Sequence, residues 1–261
     1  MAVTNFIQQI WSKKIQDDLE LKCKLVDNCL REYEGDCKYA QSVKILGVGE
    51  PTIGDYDGSQ DIAIEEMSDR GQILTIDQAK YFAFYVDDVD QAQSVPGLKE
   101  KYQEKAVHGL AVARDTYVAE LIAAATNKTT VTLTEEGLKK GIDEAIVELR
   151  ERNFDEDGVI EISPAAYNLF KNHLITLSTN NPELIKKGVV GMYDNFEVIM
   201  SNNLKTPGDI RGKKAIAFAG QINEVEALRA EKRFKDIVRG LDTFGAKVID
   251  ENRIQVLVEA L

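Results

Sequence analysis

"TIDQAKYFAFYVDDVDQAQ", Thr75 to Gln93, decides how this chain is read. In an extended chain successive side chains leave on opposite faces, so Phe82, Phe84 and Val86 share one face and Tyr81 and Tyr85 the other. Three aspartates, Asp87, Asp88 and Asp90, follow at once. They are either a cation-binding or catalytic carboxylate cluster, or the place where a strand stops and a helix starts. A calcium loop needs ligands at fixed offsets, a glycine at its turn and a distal bidentate glutamate. "DDVDQAQSVPG" lacks that glycine and that glutamate. Aspartate ahead of a helix, by contrast, caps free N–H groups and meets the positive end of the helix dipole. The stretch therefore reads as a junction, with no metal expected there.

Downstream of the junction, Leu98, Tyr102, Ala106, Leu110, Ala113, Tyr117, Leu121 and Ala124 recur at helical spacing. A single helix from Pro96 to Thr126 would be roughly 45 Å long at 1.5 Å per residue. Most globular helices have only about 11–12 residues. Upstream, "SVKILGVG" alternates at Val43 and Ile45, and "GQILTIDQAKYFAFYV" is a longer strand-forming run. Between them lies "EPTIGDYDGSQDIAIEEMSDRG", rich in the glycine and aspartate of turns. Two strands joined by so long an excursion suggest a loop that contacts something outside its own domain.

Residues 1–35 predict an amphipathic, partly helical arm, because Phe6, Ile7, Ile10, Trp11 and Ile15 recur at helical spacing. It packs either on its own core or on a neighbouring subunit, since the one tryptophan must be buried somewhere. Residues 127–240 alternate between helices and strands. "TEEGLKKGIDEAIVELRERNF" is a helix with an acidic first turn, and "GVIEIS" is a strand. "SPAAYNLFKNHLI" is a helix capped by Ser163 with Pro164 at its first position. "VVGMYDNFEVIMSNNL" predicts paired strands turning at Tyr193–Asn195, and "KKAIAFAGQI" a buried strand. "FGAKVIDENRIQVLVEAL" predicts two strands around Asp250–Asn252.

The 261 residues, 44% hydrophobic and 29% charged, suffice for one large domain or two subdomains. No run approaches the roughly 20 apolar residues of a membrane span, and the first residues lack the pattern of a signal peptide. A soluble protein kept in a cytoplasm is the expectation. A net charge of −12 argues against gripping nucleic-acid phosphates, without excluding a surface that faces nucleic acid and does not stick to it. Cys23, Cys29 and Cys37 match no metal-ligand spacing, and His108 and His173 are remote from them. "GVGEPTIG", Gly47 to Gly54, lacks the third glycine and the following helix of a dinucleotide loop. No cofactor, no metal and no catalytic residue are expected. "LRAEKRFKDIVRG" mixes Arg229, Lys232, Arg233, Lys235 and Arg239 with acids. That stretch is either a solvated face or a set of charged contacts between subunits.

Taken together, "TNFIQQIWSKKIQDDL", "EPTIGDY", "LTIDQAKYFAFYVDDVDQAQ", "MYDNFEVIMSNN" and "EKRFKDIVRGLDTFGAKVI" resemble, in order and over nearly the full length, the major capsid proteins of tailed bacteriophages of the Hong Kong 97 type. The resemblance implies an α+β Hong Kong 97-like capsid fold with an N-terminal arm, an extended β-ribbon loop, a long spine helix, and peripheral and axial domains. It maps residues 1–37 to the arm, 38–80 to the extended loop, and 81–130 to the peripheral domain with its spine helix. Residues 131–240 map to the axial domain and 241–261 to strands returning to the peripheral domain. It implies a virion protein, assembled in the bacterial host cytoplasm, that forms hexamers and pentamers of itself in an icosahedral shell. The implied partners are a separate scaffolding protein and a portal protein, with double-stranded DNA enclosed and no membrane. Subunit-interface candidates are Phe6, Ile10, Trp11, Tyr56, Arg229, Arg233 and Arg239. An encapsulin-like bacterial compartment shell shares the expected fold, and a small-molecule α+β enzyme is the competing reading from a different class. Lys44, Asn202 and Asn203 are available for isopeptide cross-links such as some relatives form, but no motif assigns them.

Overall fold

The structure, a computed structural model, describes residues 23–34, 42–45, 71–87, 98–176, 191–229 and 235–260. Helix and strand are mixed, as expected of an α+β chain. The strands are β1 (Ser42–Ile45), β2 (Gln72–Thr75), β3 (Gln78–Asp87), β4 (Lys128–Val131), β5 (Gly158–Ile162), β6 (Met192–Tyr193), β7 (Phe196–Met200), β8 (Gly208–Gly212), β9 (Ile216–Arg229), β10 (Lys235–Val248) and β11 (Ile254–Glu259). The α-helices are α1 (Leu98–Ala124), α2 (Glu135–Glu151) and α3 (Pro164–Thr176), and short 3₁₀ turns lie at Val26–Asn28, ahead of β1, and at Glu251–Arg253, between β10 and β11.

The opening stretch behaves as its alternation predicts. β3 presents Phe82 and Phe84 to a core, whereas Tyr81 and Tyr85 are 80% and 69% exposed. The longer run expected over residues 71–86 is two strands, broken at Ile76–Asp77. β2 pairs antiparallel with β1, while β3 pairs antiparallel with β10. Asp87 is the last residue of β3, opposite Lys235, and α1 begins at Leu98. Asp88 and Asp90 lie outside the described residues, as does the excursion over 46–70.

β3, β10 and β9 form a three-stranded antiparallel sheet in that order, with a register shift at Leu241/Asp242. Its inner face carries Phe82, Phe84, Val238, Phe244, Ala246, Ile216 and Phe218 against α1. Gly240 is forced by that packing: a Cβ there would sit 2.5 Å from Cε1 of Phe82. On the opposite face of β9, Ala217 and Ala219 join Val43, Ile45 and Leu74 of the β1–β2 pair in a small separate core. Thr75 O would lie 2.1 Å from a Cβ at Gly245, so only glycine lets the ribbon approach β10.

The larger sheet has six strands in the order β4-β11-β8-β5-β7-β6, with parallel pairs β11·β4 and β5·β7 and antiparallel pairs elsewhere. Ile160, Ile162, Val198, Ile210 and Leu257 face α2 and α3 in one core. The alternate residues Ile254 and Val256 turn to the other side and join the α1 core. α2 starts as its sequence predicts, with Thr134 Oγ1 accepting from Gly137 N at 3.1 Å. Ser163 Oγ likewise accepts from Ala166 N at 3.4 Å at the head of α3. The predicted turn between β6 and β7 is a tight hairpin in which Asp194 and Asn195 both take positive φ, at 49° and 69°.

α1 is a single long helix as predicted, 27 residues over Leu98–Ala124 within the expected Pro96–Thr126, but its buried face differs. Val107, Ala111, Val118, Ile122 and Ala125 are buried, each one residue past a member of the stripe read from sequence. One residue is about 100° of rotation around an α-helix. Leu110 belongs to both faces, Tyr117 and Leu121 are half-buried at the edge, and Tyr102 is 52% exposed. The true face was hidden because Arg114 and Asp115 lie in its middle, and both are buried.

β10 runs across residue 240 and β3 across residue 80, so each strand spans a boundary drawn from sequence. β11 runs beside β4 and β8 in the six-stranded sheet, whereas β10 stays in the three-stranded one.

Candidate functional site

Two features stand out: an exposed sheet face, and a set of charged side chains buried at the junction of the two sheets. The exposed face is the outer side of the β3–β10 pair. Tyr81 stands opposite Leu241, Ala83 opposite Arg239, and Tyr85 opposite Ile237. Tyr81, Tyr85, Arg239 and Leu241 are exposed, and Ile237 is half-buried between them. Among the described residues β3 forms one edge of its sheet. Large aromatic and aliphatic groups exposed along an edge strand mark contact surfaces more often than bare solvent faces.

The interface candidates chosen from sequence are placed unevenly. Phe6, Ile10, Trp11, Tyr56 and Arg233 lie outside the described residues. Arg229 is the last residue of β9, opposite Asp236. Arg239 belongs to the exposed face just described. Sequence reading missed Tyr81, Tyr85 and Leu241 as surface candidates, although the period-2 alternation already placed both tyrosines away from Phe82 and Phe84.

It also missed the buried charges entirely. Arg114 of α1 reaches Asp242 of β10 with two donors, Nε to Oδ2 at 2.9 Å and Nη2 to Oδ1 at 2.5 Å. Its guanidinium also lies 5.6 Å from the centroid of the Phe218 ring and 5.9 Å from that of Phe244. This pair ties the long helix to the three-stranded sheet. Burial pushes the Asp242 carboxyl above its ordinary value, and the hydrogen bonds and charge of Arg114 oppose that.

One residue further on, Asp115 accepts from the backbone N–H groups of Lys24, Leu25 and Val26 at 3.0, 3.1 and 3.3 Å. It caps the 3₁₀ turn as an N-cap would, from a helix far away in sequence. Burial nevertheless raises the Asp115 carboxyl, with the three backbone bonds holding it back. The carbonyl side of the same turn is held by Arg211 of β8, whose Nη2 donates to Leu25 O at 2.9 Å and Nη1 to Asn28 O at 2.7 Å. Just beyond the turn, Leu30 bridges to the start of β9: its N–H donates to Ile216 O at 2.8 Å and its carbonyl accepts from Phe218 N at 2.9 Å. The turn is thus held from three directions.

Little here resembles a reaction site. His108 is exposed on α1 and His173 half-buried near the end of α3. Burial raises the Cys23 thiol to about 12 and the Cys29 thiol to about 11, so neither is a ready thiolate nucleophile. Among the described residues no three histidine, cysteine or acidic groups come together as a metal would need. No helix among them is long and apolar enough to cross a membrane.

No protein-family model and no curated protein sequence matches the chain. Solved structures do. A chain of Mycobacterium phage Che8 superposes with a TM-score of 0.76 at 26% identity, covering 90% of this chain and 90% of that one. The capsid structure of the cyanophage P-SCSP1u gives 0.72 at 16% identity, covering 89% and 86%. A virus-like particle from Pyrococcus furiosus gives 0.60 at 12% identity, covering 96% and 99%.

Proposed function

We propose that this chain, which has a phage major capsid protein fold, is a shell subunit that assembles with copies of itself into the wall of a phage head. The observation that carries the reading is the match to Mycobacterium phage Che8 over 90% of both chains at 26% identity. In this reading residues 1–37 are an arm, 38–80 an extended loop and 81–130 a peripheral domain with α1 as its spine. Residues 131–240 form the axial domain, and 241–261 return to the peripheral one.

The physical logic favours many modest contacts over one strong one. A head-to-tail interface that repeats around an axis closes into a ring, and rings joined by further contacts close into a shell. Arms and loops that reach neighbours add effective concentration to each contact. The exposed Tyr81, Tyr85, Arg239 and Leu241 supply one such surface, and Phe6, Ile10, Trp11, Tyr56, Arg229 and Arg233 supply others. A net charge of −12 suits a container for double-stranded DNA, since a strongly basic wall would bind its contents. A separate scaffolding protein and a portal protein complete the assembly, and the product is a virion component built in the host cytoplasm. The chain's role is structural, with no substrate.

One second reading is an encapsulin-like bacterial compartment shell, because the fold shared with the Pyrococcus furiosus virus-like particle at 12% identity does not separate the two. Negative-stain microscopy and nuclease protection of particles made from the chain and its flanking genes separate the two. Closed particles that take up and protect DNA support the phage head. Closed particles holding protein cargo and no DNA support the compartment. A lone subunit that turns over a small substrate contradicts both.

A further inference from the structure

Asp209 and Glu161 stand directly opposite each other in the antiparallel pair of β8 and β5, so their side chains leave the sheet on the same face. Arg211, two residues beyond Asp209, shares that face. All three have zero exposure. Arg211 spends its donors elsewhere: Nε and Nη2 on Glu161 at 3.2 and 2.9 Å, and Nη1 and Nη2 on the turn carbonyls of Asn28 and Leu25. Asn28 Nδ2 adds a third donor to Glu161 at 3.0 Å. Asp209 receives nothing comparable. Among the described residues its closest cationic atom is Arg211 Nε at 3.6 Å, and neither of its oxygens has a hydrogen-bond partner there.

Among the described residues, the other titratable groups around this cluster are Cys29 of the turn, whose thiol is neutral, and Asp115 of α1, which would add negative charge. Val256 of β11, on Asp209's other side, is apolar. One guanidinium therefore faces two carboxyl groups in a site without water access. Two carboxylates would leave an uncompensated buried anion, which an apolar interior strongly disfavours. Glu161, with three donors, is the better-stabilised anion, so the missing proton belongs on Asp209.

We propose that Asp209, Glu161 and Arg211 form a proton-held latch on the Lys24–Leu30 turn. Asp209 carries a proton, Glu161 and Arg211 remain paired, and the guanidinium is left free to hold the Leu25 and Asn28 carbonyls. Loss of that proton places a second anion beside Glu161, which competes for the one cation and loosens its grip on the turn. The turn lies where α1, β8 and the start of β9 converge, so the latch fixes how firmly residues 24–30 are held against all three. The inference holds whatever the particle encloses.

The direction of titration agrees with the geometry. Burial first, and the Glu161 charge second, push the Asp209 carboxyl well up, with Arg211 opposing. A carboxyl raised in the folded state binds its proton more tightly there than in the unfolded chain. Its contribution is complete below the unfolded value of about 3.9 and is lost as pH rises through the folded value.

Infrared difference spectra of the full chain, wild type minus Asp209→Asn at neutral pH, test the proton directly. A protonated-carboxyl C=O band should appear in the wild type and shift on ¹³C labelling of aspartate Cγ; carboxylate bands alone overturn the proposal. In Glu161→Gln the acid band should vanish, because Asp209 then ionises against the freed guanidinium; its persistence overturns the charge argument. Hydrogen exchange tests the latch. As pH rises, amides of residues 24–30 should exchange at least tenfold faster in the wild type than in Asp209→Asn at the same pH, and equal protection throughout overturns the latch. Should the variants not fold, the labelled wild type alone decides: its aspartate acid band must disappear with rising pH in step with faster exchange in the turn. Absence of that band overturns the proposal.

Discussion

Replacing Arg114 with methionine removes the guanidinium from a site where Asp242 has zero exposure and keeps a long apolar side chain in its place. The wild-type arginine gives Asp242 two hydrogen bonds and lies near the Phe218 and Phe244 rings. Breaking a buried pair by removing one partner costs about 3–5 kcal/mol, mostly the penalty of an unpaired buried carboxylate. The lost ring contacts add about 0.5–2 kcal/mol. For a chain of this size each kcal/mol lowers Tm by about 2–4 °C, so Arg114→Met should melt about 7–28 °C below the wild type. Urea titration of the unassembled subunit, followed by fluorescence, measures the free energy directly.

The pH dependence sharpens the test. Asp242 already titrates above the usual carboxylate range because of burial, and without Arg114 it rises further. The variant's deficit should therefore be small in acid, where Asp242 is neutral, and grow as pH rises through its folded value. The double variant Arg114→Met, Asp242→Leu should recover most of the loss, because two apolar groups of similar volume replace the pair without a stranded charge. The reasoning is refuted if the single variant loses less than about 1 kcal/mol at neutral pH, or if the double variant is no more stable than the single one.

Asp115→Ala strands the N–H groups of Lys24, Leu25 and Val26 and should cost about 2–4 kcal/mol in a urea melt, with faster hydrogen exchange confined first to residues 24–30. Gly245→Ala should destabilise by more than about 2 kcal/mol, because its Cβ would meet Thr75 O at 2.1 Å and backbone cannot step aside. Gly109→Ala on α1, with nothing within 4 Å of its Cβ, should instead stabilise by about 0.5–1 kcal/mol; the two variants together check the packing in one calorimetry series. Tyr81→Ser with Tyr85→Ser should shift Tm by no more than a few degrees, since both side chains are exposed, while sharply lowering particle yield in sedimentation.

Where local rules act alone, the sequence was readable. Thr134 and Ser163 cap α2 and α3, Asp194 and Asn195 turn the β6–β7 hairpin, and the alternation in β3 separates Phe82 and Phe84 from the tyrosines. These features depend on neighbours a few residues away. Two of the misreadings share one cause, a charge whose partner is distant in sequence. Arg114 and Asp115 made the buried face of α1 look solvent-facing until Asp242 and the 24–26 backbone supplied their partners. "GDIRG" offers two glycines, an acid and a base, and was not read as a strand. It is the fully buried β8, tied to β5 and β11 and holding Arg211 against Glu161. A cue did exist: Glu161 is a lone charge inside the apolar run Val159–Ile162, a pattern that asks for a buried cation. The surface candidates followed the same division. Tyr81 and Tyr85 were placed by alternation, but recognising their face as exposed required the β10 pairing.

Sedimentation velocity of the chain co-expressed with its flanking genes tests the shell reading most directly. A subunit of 29.1 kDa that builds a head should sediment largely as a narrow, very heavy boundary, and the Tyr81→Ser, Tyr85→Ser variant should shift material from that boundary to the slow one. A single slow boundary at monomer mass, unchanged over the full range of concentration and salt, would contradict the account.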